Sequence, residues 1–541
     1  MAGAITGAIG AAGCGGAGRS AARGMVASSQ SLATDAGLAI LREGGSAADA
    51  AVATAAALNV TEPTSTGLGG DCFALHYDAA TGAVTALNGS GRAPARLTLE
   101  LLRAQGLTAL PPYHAHTVTV PGACAGWCDL IARHGRLPMA RILAPAIALA
   151  EHGFPVAPVT AHFWERGAER LRAAGGLELT IDGRAPRAGE RFANPGLART
   201  LRAIAAGGKD AYYRGEIAAA IAAAVTAAGG VMTTDDLAAH ASTWDTPIST
   251  VYRGLRVWEC PPNGQGITAL LALNILSGFD LAGQDPLSAD RWHLLIEALR
   301  LAFADTRWYV ADPRVTRVPV DELLDASYAA QRRATIDPRR AMAEARRGAP
   351  VGHSDTVYFC VVDGAGNACS FINSNYMGFG TGIVPRGWGF TLQNRGAGFS
   401  LEPGHPNALA PGKRPYHTII PGLLTRADGS LYAPFGVMGG FMQPQGHVQV
   451  VVDLVDDALA PQAALDRPRF CIEPPNGAVS LETGLPAATV AALRARGHAV
   501  VADVAGFERS LFGRGQIIRR EPDGGLVGGS DPRADGRAAM A

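Results

Sequence analysis

The chain has 541 residues, 48% of them hydrophobic and 17% charged, which is enough to bury a sizeable core and argues against a disordered protein. Lys plus Arg equals Asp plus Glu at 47 each. That balance, with no basic stripe, excludes the usual profile of a nucleic-acid binder.

The first 23 residues are mostly Gly and Ala and read as a disordered tail. Ala11-Ala12-Gly13-Cys14 resembles a lipoprotein cleavage site, but no basic start precedes it. No run of about 18 apolar residues exists, so no membrane span is expected. The eight cysteines are scattered rather than framed, which suits a reducing compartment. A cytoplasmic protein is the expectation.

Leu32–Leu41 reads as a helix, closed by Gly44-Gly45. Ser46-Ala47-Ala48-Asp49 is a capping-box pattern that opens an Ala-rich helix to about Leu58. Gly67-Leu68-Gly69-Gly70 leads into a strand, Phe73–Tyr77, with Val84–Asn88 as its hairpin partner. Residues 120–345 are read as mainly helical, with helices at Arg141–His152, Leu197–Ala206, Glu216–Ala228, Ile267–Leu276 and Asp290–Val310. Residues 339–355 read as an exposed linker, Arg-rich over its first half. Beyond it strands and Gly-rich turns take over: Val357–Asp363, Ala368–Tyr376, Phe390–Gln393 and Tyr432–Val437. Two later helices, near Pro461–Leu465 and Ala488–Arg496, are expected to cover the sheet.

The junction at Asp355-Thr356 carries the chemistry. A polar linker ends there and an apolar strand begins at a hydroxyl residue. Gly364-Ala365-Gly366 is a turn, and a hairpin symmetric about Ala365 sets Thr356 opposite Ser374. Facing residues bring their Cβ atoms to about 5 Å. If the Asp355–Thr356 bond is cut, Thr356 gains an α-amine with a pKa near ~8, able to take the proton of its own hydroxyl. Ser374 can then orient the Thr356 oxygen. Gly439-Gly440, after a strand, can aim backbone N–H groups at an oxyanion. On this stretch alone a structural hairpin with two surface hydroxyls is the commoner explanation, because Thr is frequent in strands.

Together these residues resemble the gamma-glutamyltranspeptidase family. The similarity runs from about Gly24 to Gly536. It rests on the block Gly24–Ser28, on Ile40–Ala53, on Gly67-Leu68-Gly69-Gly70 and on Pro121-Gly122. It continues at Thr356, Phe379-Gly380-Thr381-Gly382, Gly412-Lys413-Arg414-Pro415, Gly439-Gly440 and Gly529-Ser530-Asp531-Pro532-Arg533. The resemblance implies an α/β (α+β) protein with a four-layer αββα sandwich of the N-terminal-nucleophile hydrolases. It implies autocatalytic cleavage before Thr356 into a large chain, 24–355 after the tail, and a small chain, 356–541. The two chains would form a heterodimer, with further dimerisation open, and would use no cofactor and no metal. By position Thr356 matches the nucleophile, Ser374 the second hydroxyl, and Gly439 and Gly440 the oxyanion pair.

The departures lie in the pocket. Gly398 stands where the family's glutamyl enzymes have an Asp for the substrate α-amine, and Arg395 replaces a Gln three residues earlier. His417-Thr418 replace two serines, and Tyr376 replaces an Asn. The Arg that holds the α-carboxylate aligns to Ser90, with Arg92 two positions away as a substitute. The pocket thus loses an anion and gains a guanidinium suited to a carboxylate. A small-molecule amide with a carboxylate-bearing acyl group is the expected substrate. Gamma-glutamyl, oxamate and glutaryl or cephalosporin-type amides are all open, as is a non-catalytic small-molecule binder. His114-Ala115-His116 reads as a solvent-side strand pair rather than a metal site, and Cys124 and Cys128 as small buried hydrophobes.

Overall fold

The computed structural model describes residues 24–345, 356–474 and 477–541. The N-terminal tail with Cys14 and the second part of the linker, including Asp355, lie outside the described residues.

The hairpin forms with the register expected. Strands Val357–Val362 and Ala368–Ser374 pair antiparallel, with Val362 facing Ala368 and Val357 facing Asn373. The turn is closed by Asp363, whose Oδ1 accepts the amides of Ala365 and Asn367, and by Gly366 at φ +88. Side chains alternate across the strand. Val357, Phe359 and Val361 pack under a helical layer, while Tyr358, Cys360 and Val362 face a second sheet.

Around the hairpin a seven-stranded sheet runs in the order Arg537–Met540, Met25–Ser28, Val357–Val362, Ala368–Ser374, Asp71–Tyr77, Val84–Gly89, Thr243–Asp245. A six-stranded sheet stacks on it in the order Leu526–Ser530, Arg514–Arg520, Leu431–Met438, Gly422–Thr425, Leu255–Glu259, Ile248–Tyr252. The two sheets enclose Phe73, Tyr358, Ile372, Leu423 and Ile518. A Cβ on Gly436 would stand 2.6 Å from the Tyr358 ring, so only glycine lets the sheets close there.

Helices cover both outer faces. On the first sheet lies Ala47–Thr61, buried along all 15 residues and mostly apolar, with no polar face left to solvent. Ser46 and Asp49 form the expected capping box. On the second sheet lie Gly266–Leu276 and Met442–Val455, with Ala289–Tyr309 packed against Gly266–Leu276. The result is the expected αββα sandwich. No helix among the described residues is long and apolar enough to cross a membrane.

Several local expectations change. The middle region is not only helical: it supplies Ile248–Tyr252 and Leu255–Glu259 to the second sheet. Phe390–Gln393 is not a strand, since only Leu392 bridges, to Gly69. Helix Pro195–Tyr213 runs past the expected Ala206 through a kink at Gly208. Helix Ala487–Ala495 does not lie on the second sheet. It packs against Ala289–Tyr309 and a small sheet of Phe470–Ile472, Val479–Glu482 and Val500–Val504. His114–His116 is no strand: Ala115–Thr117 is a 3-10 turn, with His116 buried against Gln105 at 2.8 Å.

Candidate active site

Thr356 stands one residue before its strand and continues the register, beside Ser374. The two hydroxyl oxygens are 3.1 Å apart, and both side chains are fully buried rather than on the surface. Ser374 Oγ also accepts the amide of Tyr376 at 2.9 Å and a guanidinium N–H of Arg395 at 3.2 Å. A hydroxyl has two acceptor positions and one proton. Thr356 Oγ1 is within hydrogen-bond reach of the same oxygen, and either hydroxyl can be the donor. Ser374→Ala is expected to slow both maturation and turnover on the order of 10–1000-fold, as for a lost positioning group. Single-turnover rates and the time course of chain cleavage check this, and near-normal values for both would reduce Ser374 to a packing role.

Behind this pair lies a buried charged cluster. Arg395, on the turn Arg395–Gly398, is fully buried. It donates to Thr418 Oγ1 at 2.7 Å and to Ser374, and its guanidinium carbon lies 4.2 Å from the centre of the Tyr376 ring. Burial depresses its pKa to about 10, opposed by Tyr376 and Asp71, so it stays charged at neutral pH. Among the described residues no carboxylate lies within ion-pair distance of it, and its Nε has no acceptor.

Asp71 is the residue that sequence reasoning missed. It pairs with Ser374 across the neighbouring strands. Its carboxylate accepts four donors: the amides of Gly91 (3.0 Å) and Gly122 (3.1 Å), Gln393 Nε2 (2.9 Å) and His417 Nε2 (3.0 Å). Burial pushes its pKa up, but the bond from His417 and the charge of Arg395 bring it below the ordinary carboxylate value. His417 is held neutral: burial first, then Arg395, drops it to about 3 against the pull of Asp71. Its Nδ1 accepts the amide of Ile419, which leaves the proton on Nε2 for Asp71. The one signal in the sequence was an acid directly after Gly67-Leu68-Gly69-Gly70 at a strand start.

Gly439 and Gly440 follow the strand Leu431–Met438 at φ +131 and +60, and lead into the helix Met442–Val455. Neither amide has an acceptor among the described residues, as an oxyanion site requires. Gln265 ties them to the cluster: its Nε2 donates to Gly440 O at 2.9 Å and to Thr418 O at 2.7 Å. The arrangement therefore links two hydroxyls, two glycine amides without an acceptor among the described residues and a buried cation in one connected network.

Tyr376, in the left-handed region at φ +78, separates this network from a cavity of about 190 Å³. Gly398 lines the cavity. A Cβ on Gly398 would stand 2.9 Å from Tyr416 O, which accounts for the glycine. The acids and bases around the cavity are Arg307, Glu402 and His405. Arg92 is not brought to the cluster; it is partly exposed and reaches Ala241 O at 3.5 Å. A wider Ala-lined groove of about 810 Å³, past Arg170 and Thr381, contains none of these groups.

Among the described residues one set of metal-type donors converges, His293, Glu297 and His498. Glu297 is already bonded there to Arg300 and to the amide of Met342, and His293 to His498 Nε2 and Asp337 O, while His498 Nδ1 has no hydrogen-bond partner among the described residues.

Comparison with known proteins agrees with this chemistry. The chain is 38% identical over 521 residues to the glutathione hydrolase-like YwrD proenzyme of Bacillus subtilis, covering 95% of this chain and 98% of that protein. It is also 38% identical over 528 residues to the oxamate amidohydrolase proenzyme of Klebsiella pneumoniae, covering 95% and 98%. The crystal structure of cephalosporin acylase from Bacillus halodurans superposes with a TM-score of 0.90 at 49% identity, over 96% of each chain. These relatives are named as enzymes, so the non-catalytic alternative finds no support. The proenzyme names accord with a precursor that matures into a large and a small subunit. The family profile described as Gamma-glutamyltranspeptidase matches residues 33–541, and the chain belongs to that family of self-processing amidohydrolases that use an N-terminal threonine.

Proposed function

We propose that Thr356 is the nucleophile and that Asp355–Thr356 is the bond cut in maturation. Thr356 Oγ1 attacks the Asp355 carbonyl and the peptide C–N bond breaks. The acyl group passes from nitrogen to oxygen, and water hydrolyses the resulting ester. Residue 355 then ends the large chain, and Thr356 begins the small one with a free α-amine. In turnover that amine takes the hydroxyl proton as Thr356 Oγ1 attacks an amide, and returns it to the departing amine. Gly439 and Gly440 donate to the oxyanion, and water releases the acyl group.

The substrate class is an amide whose acyl part carries a carboxylate and needs no α-ammonium. One observation carries this reading: Arg395 is a fully buried cation, beside the reacting hydroxyls, with no anion in direct contact among the described residues. A buried charge without a counter-ion is costly, and a substrate carboxylate relieves that cost. Oxamate, the substrate in the name of one relative, is such a molecule. A second reading is a gamma-glutamyl hydrolase, favoured by Glu402, an acid on the cavity that can meet an ammonium. Assaying the mature enzyme on glutaryl, oxamate and gamma-glutamyl amides separates them. Preference for glutaryl or oxamate amides is the expected result; cleavage of gamma-glutamyl amides alone supports the second reading and rejects the first.

A further inference from the structure

We propose that Asp71 is a positioning residue that acts through Arg395: it is the counter-charge that sets how tightly the pocket holds anions, so that the enzyme binds a substrate with one carboxylate and releases a product with two. The inference rests on the proposed mechanism and on the reading that Arg395 takes the acyl carboxylate.

Asp71 holds the frame of Arg395 without touching the guanidinium. Its Oδ1 accepts Gln393 Nε2, two residues before Arg395, and its Oδ2 accepts His417 Nε2, next to the Thr418 that Arg395 bonds. All four of its hydrogen bonds come from N–H donors, so only the ionised carboxylate satisfies them. His417 adds no charge, because its Nδ1 accepts the amide of Ile419 and its one proton sits on Nε2. The field of Asp71 bears on Arg395, and among the described residues no other carboxylate does. A further buried cation, Arg414, is bonded to Ser90 O, Asn88 O and Thr243 Oγ1 and faces acids of its own, Asp245 and Asp312. Arg395 and Asp71 are therefore a buried pair of opposite charges without a direct salt bridge.

Catalysis changes the charge that this pair meets. The acyl group enters with one carboxylate. Water then breaks the C–O bond of the ester on Thr356 Oγ1, returns the hydroxyl, and leaves a second carboxylate and a proton. The second charge arises beside Ser374, whose Oγ is 3.1 Å from Thr356 Oγ1 and which faces Asp71 in the strand register. Directly facing residues have Cβ atoms about 5 Å apart. Like charges at such range in a buried site repel strongly. Arg395 answers the first carboxylate, and Asp71 opposes the second. Without Asp71 the cluster is a net cation and holds the dianionic product.

The test compares glutarate with pentanoate, which differ by one carboxylate, as inhibitors of glutaryl 4-nitroanilide cleavage by the mature two-chain enzyme. In the wild type the two inhibition constants are expected to lie within about threefold of each other, and a larger preference for glutarate overturns the proposal. Asp71→Asn is expected to tighten glutarate relative to pentanoate about tenfold, the effect of one unit charge at this range. Asp71→Glu keeps the charge and is expected to keep the wild-type ratio even where kcat falls. A purely structural role lowers kcat in both variants and leaves the ratio unmoved, which also overturns the proposal. Should Asp71→Asn fail to process, the coupling is read in the uncleaved Thr356→Ala precursor by a thermal-melting cycle with Arg395→Gln. The double variant is expected to melt above Asp71→Asn alone, because it no longer buries a lone cation, and additive losses refute the coupling. Glutaryl against butyryl 4-nitroanilide on the wild type tests the Arg395 reading separately. No preference there rejects that reading, whereas a preference with an unmoved glutarate ratio rejects the role of Asp71 alone.

Discussion

Thr356→Ala is expected to remain a single intact chain and to show no turnover. The reason is that, in the proposed mechanism, one oxygen serves both reactions. Alanine keeps the β-carbon and removes the atom that attacks the preceding carbonyl, so the precursor cannot open. Without opening there is no terminal amine to act as base, and without the oxygen there is no acyl-enzyme. The loss should therefore be larger than for any neighbouring residue, reaching the limit of detection rather than a fixed factor. The fold should survive, because Thr356 lies before the strand and its hydroxyl bonds only Ser374 among the described residues. Removing it costs roughly 0.5–1.5 kcal/mol, small against a protein of this size. Intact-mass spectrometry of the wild type should find a fragment beginning with Thr356. Cleavage at another bond, or any cleavage in the alanine variant, would remove Thr356 from the mechanism.

Arg395→Gln should carry the second-largest loss, and a selective one. A charge-assisted bond to a carboxylate contributes roughly 1.5–3 kcal/mol, about one to two factors of ten in kcat/KM. That part should fall on glutaryl and oxamate amides and spare an acyl group without a carboxylate. A second part should fall on all substrates alike, because the same guanidinium holds Ser374 and Thr418. Arg395→Lys separates the two: it keeps the charge but cannot span both hydroxyls with a planar fork. Comparing butyryl and glutaryl amides across the three proteins gives the split. A uniform loss on both amides in Arg395→Gln would leave Arg395 as a positioning residue only.

What the sequence made legible follows from the range of each interaction. The hairpin register was readable because one turn fixes it and a two-residue period carries it to Thr356 and Ser374. The capping box of Ser46 and Asp49 was readable for the same reason, since both groups lie within four residues. Asp71 was not: its donors come from Gly91, Gly122, Gln393 and His417, and only the assembled sheets bring them together. Arg307 was hidden likewise inside a helix whose pattern reports burial, not the pocket at its end. Arg92 shows the opposite failure, since nearness in sequence to Ser90 did not carry it to the cluster. The strands Ile248–Tyr252 and Leu255–Glu259 were overlooked although Arg253-Gly254 between them, at φ +50 and +86, is a tight-turn signal. A strongly helical neighbourhood outweighed it.

The order of strands in the first sheet has a consequence for how the protein can be made. Met25–Ser28 lies between Val357–Val362 and Arg537–Met540, so a segment from before the proposed cleavage point is threaded between two from after it. The second sheet is likewise shared, with Leu255–Glu259 hydrogen-bonded to Gly422–Thr425. Neither piece can complete a sheet by itself. While the chain is whole, these pairings form by a first-order search at a fixed effective concentration, independent of dilution. Once the bond is cut, the same search becomes second order. Maturation is therefore a ratchet: the precursor carries the instructions for assembly, and the enzyme that results has discarded the tether that made its own folding fast.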